Sequence, residues 1–147
     1  MPKVLILIGS KSDMPYAEKC QSVLDELGIE HKLEISSAHR QPDKTDELAK
    51  NAAVNGYEVV ICMAGMAAAL PGVVSARTDL PVIGVPLPAS LDGMDALLAI
   101  AQMPGGVPVA TMGIGNAGAK NAAILSARIL AIKYPKMLEN LEKFKNK

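Results

Sequence analysis

Tryptophan is absent from this 147-residue sequence, and its aromatic residues are only three tyrosines and one phenylalanine. A core without large rings must be filled by Ala, Val, Ile, Leu and Met, which suits close packing of helices on a sheet. Histidine and cysteine are also scarce, with two of each. Any chemistry that needs these side chains must therefore depend on very few positions.

An excess of charge of either sign is also missing, because 15 basic residues balance 15 acidic ones. The absence of a long basic run argues against a general nucleic-acid binder, whose affinity depends on neutralising phosphates. No apolar run reaches the roughly 18 residues that span a membrane. The sequence starts directly in a strand-like pattern without a signal peptide, and Cys20 and Cys62 lie far apart in apolar settings. We therefore expect two buried free thiols and a cytoplasmic protein that binds no membrane.

Several catalytic signatures are lacking. The sequence has no Walker motif, no glycine-rich dinucleotide fingerprint after its first strand, and no Gly-x-Ser-x-Gly nucleophile elbow. No Cys, His, Asp and Glu cluster has metal-ligand spacing. These absences leave proton chemistry around a histidine, with a small phosphorylated substrate, as the favoured reading.

Five apolar runs predict β-strands that alternate with helices. Because no linker divides them, we predict one domain over residues 1–147, with residues 134–147 as a C-terminal helical extension. The pattern is typical of a three-layer α/β fold, a doubly wound parallel sheet of flavodoxin-like order 2-1-3-4-5. The predicted strands are Lys3–Ile8, His31–Ile35, Val59–Met63, Val82–Val85 and Val107–Met112, the last an edge strand interrupted by Pro108. The predicted helices run from Pro15 to near Gly28, from Pro42 to near Gly56, over a short segment after Gly72, and over Asp95–Gln102, Ala119–Lys133 and Pro135–Lys145.

In such sheets, ligands bind beyond the carboxyl ends of the strands at the point where strand order reverses. Here the loops at that point are Gly9–Asp13, Ser36–Gln41 and Ala64–Gly72. The first two are rich in Ser, Asp, His and Arg, whereas the third is built of small residues that allow a flat ligand to approach the backbone. Tight helix packing explains the third loop equally well.

His39 and Arg40 are the strongest chemical candidates. An imidazole near neutrality can act as general acid or base, although an isolated loop histidine is often ordinary surface. Arg40 can hold a phosphate in a bidentate fork, or it can instead form a salt bridge to Asp43 or Asp46. His31, at the start of a strand, has no such neighbours, and we interpret it as structural.

Six motifs occur in order along the chain, and together they resemble one enzyme family. They are Gly9-Ser10-Lys11-Ser12-Asp13, Ser37-Ala38-His39-Arg40-x-Pro42, Ala64-Gly65-x-Ala67-Ala68-x-Leu70-Pro71-Gly72, Gly84-Val85-Pro86, Gln102-Met103-Pro104-x-Gly106-x-Pro108-Val109 and Asn121-Ala122-Ala123. The chain resembles the N(5)-carboxyaminoimidazole ribonucleotide mutase and phosphoribosylaminoimidazole carboxylase family of purine biosynthesis. The resemblance covers about nine-tenths of the chain.

The resemblance implies an isomerase that moves a carboxyl group from an exocyclic nitrogen to ring carbon 4 of an aminoimidazole ribonucleotide. It implies trapped carbon dioxide as intermediate, no metal, ATP or organic cofactor, and a homo-octamer with sites near subunit junctions. His39 is then the proton-transfer residue. The implied substrate-binding residues are Ser10, Ser12, Asp13, Ser37 and Arg40 for the ribose phosphate, Ala64, Gly65 and Ala67 around the base and the carboxyl group, and in addition Ala38, Met66 and Leu70.

Ala69 departs from the mutase pattern, which has a histidine before Leu-Pro-Gly. Related direct carboxylases, which use carbon dioxide, carry alanine there. Ala67, Ala68 and Pro71, in contrast, follow the mutases. Two alternatives to the mutase therefore stay open: direct carboxylation of aminoimidazole ribonucleotide by a lyase, and, more remotely, a non-catalytic nucleotide- or flavin-binding module, which the scarcity of stacking aromatics disfavours.

Overall fold

A computed structural model describes residues 2–147 and contains one five-stranded parallel sheet. The strand order is β2-β1-β3-β4-β5, as predicted from the alternation of strands and helices. The strands are β1 Lys3–Ile8, β2 Glu30–Ile35, β3 Val59–Gly65, β4 Val82–Leu87 and β5 Ala110–Thr111. The α-helices are α1 Met14–Glu26, α2 Pro42–Asn51, α3 Leu70–Ser75, α4 Met94–Ala101, α5 Asn116–Leu130 and α6 Lys136–Lys145.

Helices cover both faces of the sheet. One apolar cluster joins alternate residues of β1, β3 and β4 to α1, α5 and α6, and a second joins the intervening residues to α2, α3 and α4. In β1, Val4 and Ile6 face the first cluster while Leu5 and Leu7 face the second. Because both faces are dry, the central strands are continuous apolar runs rather than alternating ones.

The last strand is shorter than predicted. Only Ala110 and Thr111 pair with β4, although the prediction covered Val107–Met112. Pro108 has no N–H to donate to a ladder, and an edge strand with one neighbour tolerates this loss. The edge position of the strand was predicted correctly, and its length was not.

Two helices end earlier than predicted. Helix α2 ends at Asn51 rather than near Gly56, and the chain continues in turns to Gly56, whose φ is +92°. Helix α5 ends at Leu130, because Pro135 disfavours helical geometry in the residue before it and the chain tightens into turns first.

Four other boundaries lie closer to the carboxyl edge of the sheet than predicted. Strand β3 continues to Gly65 and β4 to Leu87, so that both reach into segments predicted as loops. Helix α3 begins at Leu70, inside the predicted loop Ala64–Gly72. Helix α5 begins at Asn116 rather than Ala119. Pairing between β3 and β4 extends the two strands to Gly65 and Leu87, and the sequence of either segment alone does not show this pairing.

Both cysteines are buried and unpaired, as predicted. Apolar burial raises the pKa of the Cys20 thiol to about 12. None of the helices formed by residues 2–147 combines the length and the apolar character that a membrane span requires.

Candidate active site

A cavity of about 550 Å³ opens at the carboxyl ends of β1, β2, β3 and β4. It lies where the chain leaves β1 towards one face of the sheet and β3 towards the other, which is the usual ligand position in doubly wound folds. Its walls are formed by Gly9, Ser10, Ser12, Asp13, Ser37, Ala38, His39, Arg40, Ala64, Gly65, Met66, Ala67, Ala68, Ala69, Leu70 and Ala89.

The fold brings together the predicted catalytic residue and the predicted substrate-binding residues. His39 and the eleven predicted substrate-binding residues line this one cavity. Their individual roles stay predictions, because the geometry shows proximity and not chemistry. Four further wall residues were not among them: Gly9, Ala68, Ala69 and Ala89.

Ala89 was missed because only the loops after the first three strands were considered. Strand β4 pairs with β3 through Gly65 and Leu87, so the segment after Leu87 ends beside the same cavity. The predicted order 2-1-3-4-5 already placed strand 4 next to strand 3. That adjacency was the signal that could have identified Ala89.

The loop after β1 presents hydroxyls and one carboxylate. Ser10 Oγ lies 2.6 Å from Ser12 Oγ, and Ser10 N–H donates to Asp13 Oδ2 at 3.2 Å. Burial raises the pKa of the Asp13 carboxyl above its usual range, although hydrogen bonds from the backbone of Ser10 and Gly9 oppose this. The loop can therefore offer hydroxyl donors to a phosphate and a carboxylate acceptor to ribose hydroxyls.

The loop after β2 holds the two candidate reactive groups in a turn. His39 and Arg40 are both exposed at the cavity wall. The alternative role of Arg40, a salt bridge to Asp43 or Asp46, is wrong for residues 2–147: Asp46 pairs with Lys50 at 2.9 Å and with Arg77 at 2.7 Å. Arg40 forms no ion pair in the described part of the chain, so its guanidinium is available to an anion.

The loop after β3 contains unusual backbone. Met66 and Ala68 have φ values of +55° and +24°, a left-handed region that side chains disfavour. Such strain is concentrated at functional sites in many proteins. Gly65 is packed tightly, because a Cβ there would lie 3.3 Å from the carbonyl oxygen of Leu87. The small-residue wall therefore exposes backbone to the cavity.

His31 lies far along the same strand from this site. It occupies the second position of β2, and its Nε2 lies 2.8 Å from Asp25 Oδ1. The cavity is at the opposite, carboxyl end of β2. Within the chain from residue 2 onward, no group of three or more His, Cys, Asp or Glu side chains is arranged to hold a metal ion.

Comparisons with known proteins agree on one family. The family model described as AIR carboxylase matches residues 3–147. N5-carboxyaminoimidazole ribonucleotide mutase from Thermotoga maritima is 52% identical to this chain, with 100% of this chain and 85% of the relative covered. The mutase of Saccharolobus solfataricus is 50% identical, with 98% of this chain and 90% of the relative covered.

A solved structure is similar along the whole fold. The crystal structure of Treponema denticola PurE superposes with a TM-score of 0.89 at 32% sequence identity, covering 99% of this chain and 90% of that protein.

Proposed function

We propose that this chain, which belongs to the AIR carboxylase family, converts N5-carboxyaminoimidazole ribonucleotide to 4-carboxy-5-aminoimidazole ribonucleotide in purine biosynthesis. The observation that carries the proposal is the name shared by relatives that are about half identical over nearly the whole chain. The cavity at the carboxyl edge of the sheet supports it, because His39 and the eleven residues that the resemblance assigns to substrate binding line that cavity.

The proposed reaction is an internal carboxyl transfer. His39 in its protonated form gives a proton to the exocyclic nitrogen, the bond between nitrogen and the carboxyl carbon breaks, and carbon dioxide is released. Ring carbon 4 then attacks the carbon dioxide, and the neutral His39 removes the proton from that carbon. One histidine is therefore regenerated in each cycle, as general acid–base catalysis requires.

The remaining wall residues divide by chemistry. In this proposal, Ser10, Ser12 and Ser37 donate hydroxyls to the phosphate, Arg40 supplies the positive charge, and Asp13 accepts from ribose hydroxyls. The wall formed by Ala38, Ala64, Gly65, Met66, Ala67 and Leu70 encloses the base. An apolar wall also keeps water from the released carbon dioxide, which would otherwise escape before recombination.

A second candidate function rests on Ala69. This residue lines the cavity and precedes α3, at the position where the mutase motif has a histidine. With alanine, direct carboxylation of aminoimidazole ribonucleotide by carbon dioxide is the alternative. The family of relatives named mutases favours the first candidate.

The source of the carboxyl group separates the two reactions. The purified chain would be supplied with N5-carboxyaminoimidazole ribonucleotide in one assay and with aminoimidazole ribonucleotide in another, and both assays would contain ¹³C-bicarbonate. We expect rapid, largely unlabelled product from the first substrate and slow, bicarbonate-dependent product from the second. Equal or faster labelled product from the second would assign a carboxylase, and no product from either would refute both. A cytoplasmic location also remains a prediction.

A further inference from the structure

Two side-chain hydrogen bonds connect the end of β2 to the first turn of α2. Ser36, which follows the last residue of β2, has its Oγ 2.7 Å from Thr45 Oγ1 in α2. The preceding residues are also joined, because Lys44 Nζ donates to the carbonyl oxygen of Ile35 at 2.5 Å. Ser36 and Thr45 are both 0% exposed. Only one other polar side chain in the described residues, Ser126, is buried to this extent.

These bonds close the segment that carries the proposed catalytic residue. Residues 37–43 lie between them, and this segment includes His39 and Arg40. Within it, Arg40 N–H donates to Ser37 Oγ at 3.2 Å and Gln41 N–H to the Ser37 carbonyl at 2.8 Å. No hydrogen bond from the His39 side chain is present among residues 2–147. The position of the imidazole therefore depends on how the two ends of the segment are held.

A buried hydroxyl pair fixes the relative position of the two segments that it joins more than it adds to the free energy of unfolding. On burial, two hydroxyl groups lose their hydrogen bonds to water and form a hydrogen bond to each other. An apolar pair of similar shape can therefore be nearly as stable. A hydroxyl pair differs from methyl groups because it has one preferred separation and orientation. Ser36 also receives backbone anchoring, since its N–H donates to the carbonyl of Ile8 in β1 at 2.8 Å.

We propose that Ser36 and Thr45 form a positioning pair that sets the location of His39 relative to the substrate. The proposal rests on the proposed function of His39. Thr45 acts through the α2 end of the segment, and Ser36 through the β2 end. Neither residue lines the cavity, so neither is a catalytic residue.

Four variants separate positioning from stability: Ser36→Ala, Thr45→Val, the double variant, and Thr45→Ser, which keeps the hydroxyl. Each single variant strands one buried hydroxyl, so both stability in urea and kcat should fall. In the double variant no hydroxyl is stranded, so stability should recover towards wild type. The proposal expects kcat of the double variant to stay about 10- to 100-fold low, because a misplacement near 1 Å has such an effect. Thr45→Ser keeps the hydroxyl and should therefore keep most of the wild-type kcat.

The third buried hydroxyl provides a matched control. Ser126 Oγ donates to the carbonyl of Ala122 within α5 at 2.8 Å, away from the cavity walls. Ser126→Ala should change stability without changing kcat. If kcat of the double variant recovers together with stability, Ser36 and Thr45 are merely structural and the proposal is overturned.

A second readout keeps this result distinct from failure of the proposed function. The chain has two histidines, so the imidazole NMR signals of His39 and His31 can be followed separately. We expect the His39 signal to shift or broaden in the double variant while the His31 signal stays unchanged. Absence of turnover in the wild type would refute the proposed function alone. An unchanged His39 signal would refute the positioning pair alone.

Discussion

The two histidines of this chain lie at opposite ends of one strand. His31 is near the amino end of β2 and contacts Asp25, whereas His39 follows the carboxyl end and faces the cavity. Parallel strands place all their carboxyl ends at one edge, so only His39 meets the loops of β1 and β3. Topology, more than the residue type, makes one histidine a candidate for catalysis.

Replacement of His39 by Asn should remove turnover and leave binding largely intact. Asparagine keeps a similar polar shape but cannot exchange a proton near neutrality, so we expect kcat to fall by about 10²- to 10⁴-fold. Steady-state kinetics and a titration with substrate would measure the two quantities. His31→Asn is the control and should keep the wild-type rate. A His39→Asn variant with wild-type kcat would contradict the assignment.

Replacement of Arg40 by Ala should mainly weaken substrate binding. Arg40 has no acidic partner among residues 2–147, and loss of a charge-assisted hydrogen bond to a phosphate corresponds to about 10- to 100-fold in affinity. KM should therefore rise by that factor. Arg77→Ala, which removes a guanidinium that pairs with Asp46 outside the cavity, should leave KM unchanged. Equal KM values for all three proteins would make Arg40 structural.

Glycine at position 66 should give a more stable fold than alanine at the same position. Met66 has a φ of +55°, and this conformation costs a residue with a side chain roughly 1–2 kcal/mol. Glycine relieves this strain, but part of the gain in stability is lost because glycine makes the unfolded chain more flexible. We expect the free energy of unfolding of Met66→Gly to be about 0.5–1 kcal/mol higher than that of Met66→Ala. The alanine variant is the matched reference, because it keeps the strained backbone and also lacks the methionine side chain. Urea denaturation would compare them. The reverse order of stability would show that position 66 is not strained.

At the scale of elements, the C-terminal segment is tied to the start of β3. Glu58, just before β3, receives hydrogen bonds from Tyr134 Oη at 2.5 Å and from Lys133 Nζ at 3.0 Å. Helix α6 then buries Met137 and Leu141 in the cluster that includes α1 and α5. The predicted extension 134–147 therefore packs into the same core as the sheet.

The hydrogen bonds between Glu58 and the side chains of Tyr134 and Lys133 should make the free energy of unfolding depend on pH in the acid range. Partial burial raises the pKa of Glu58, but the hydrogen bonds from Tyr134 and Lys133 and the charge of Lys133 outweigh it and leave the pKa below its usual value. A lowered carboxyl pKa stabilises the fold fully above the unfolded pKa of about 4.3, and this contribution disappears as pH falls through the folded value.

We therefore expect Glu58→Gln to be less stable than wild type at pH 7 and to lose this difference as the pH falls below about 4.3. Urea unfolding at a series of pH values would test it, with the exposed Glu18→Gln on α1 as the control. A stability difference that is independent of pH would contradict the ion-pair explanation.

At the scale of the whole molecule, one surface is unusually apolar. Met94 and Leu98 lie about one turn apart on α4 and form an apolar stripe, with side chains that are 48% and 50% exposed. Leu91, just before the helix, is 73% exposed. Exposed apolar stripes of this kind often become buried between protein copies. We expect this surface to be buried when copies of the chain associate, and the homo-octamer stays a prediction from the family resemblance.

Light scattering should report eight chains for the wild type. Leu98→Glu places a charge on the apolar stripe and should lower the measured mass while the circular dichroism spectrum stays unchanged. Leu138→Glu, on the exposed side of α6, is a matched control and should keep the wild-type mass. A monomeric wild-type chain would contradict the octamer.

Local patterns accounted for most of the fold and for the location of the candidate site. Continuous apolar runs identified β1 and β3 because both of their faces are buried, and the order of elements predicted the sheet topology. Short motifs in the loops indicated His39 and Arg40, since the rule that ligands bind at strand carboxyl ends needs only the order of elements. Residues close together in the sequence are therefore enough to predict the strands, their order and the location of the site.

Only the tertiary structure decided which distant groups meet. The pairing of Leu87 with Gly65 brings Ala89 to the cavity, the partners of Asp46 leave Arg40 free of a salt bridge among the described residues, and Ser36 meets Thr45 inside the protein. The left-handed backbone of Met66 is not evident from residue type, and Pro108 indicates an interrupted edge strand without showing that only Ala110 and Thr111 pair. Register, burial and hydrogen bonding depend on contacts between segments far apart in the chain, and no local pattern records those contacts.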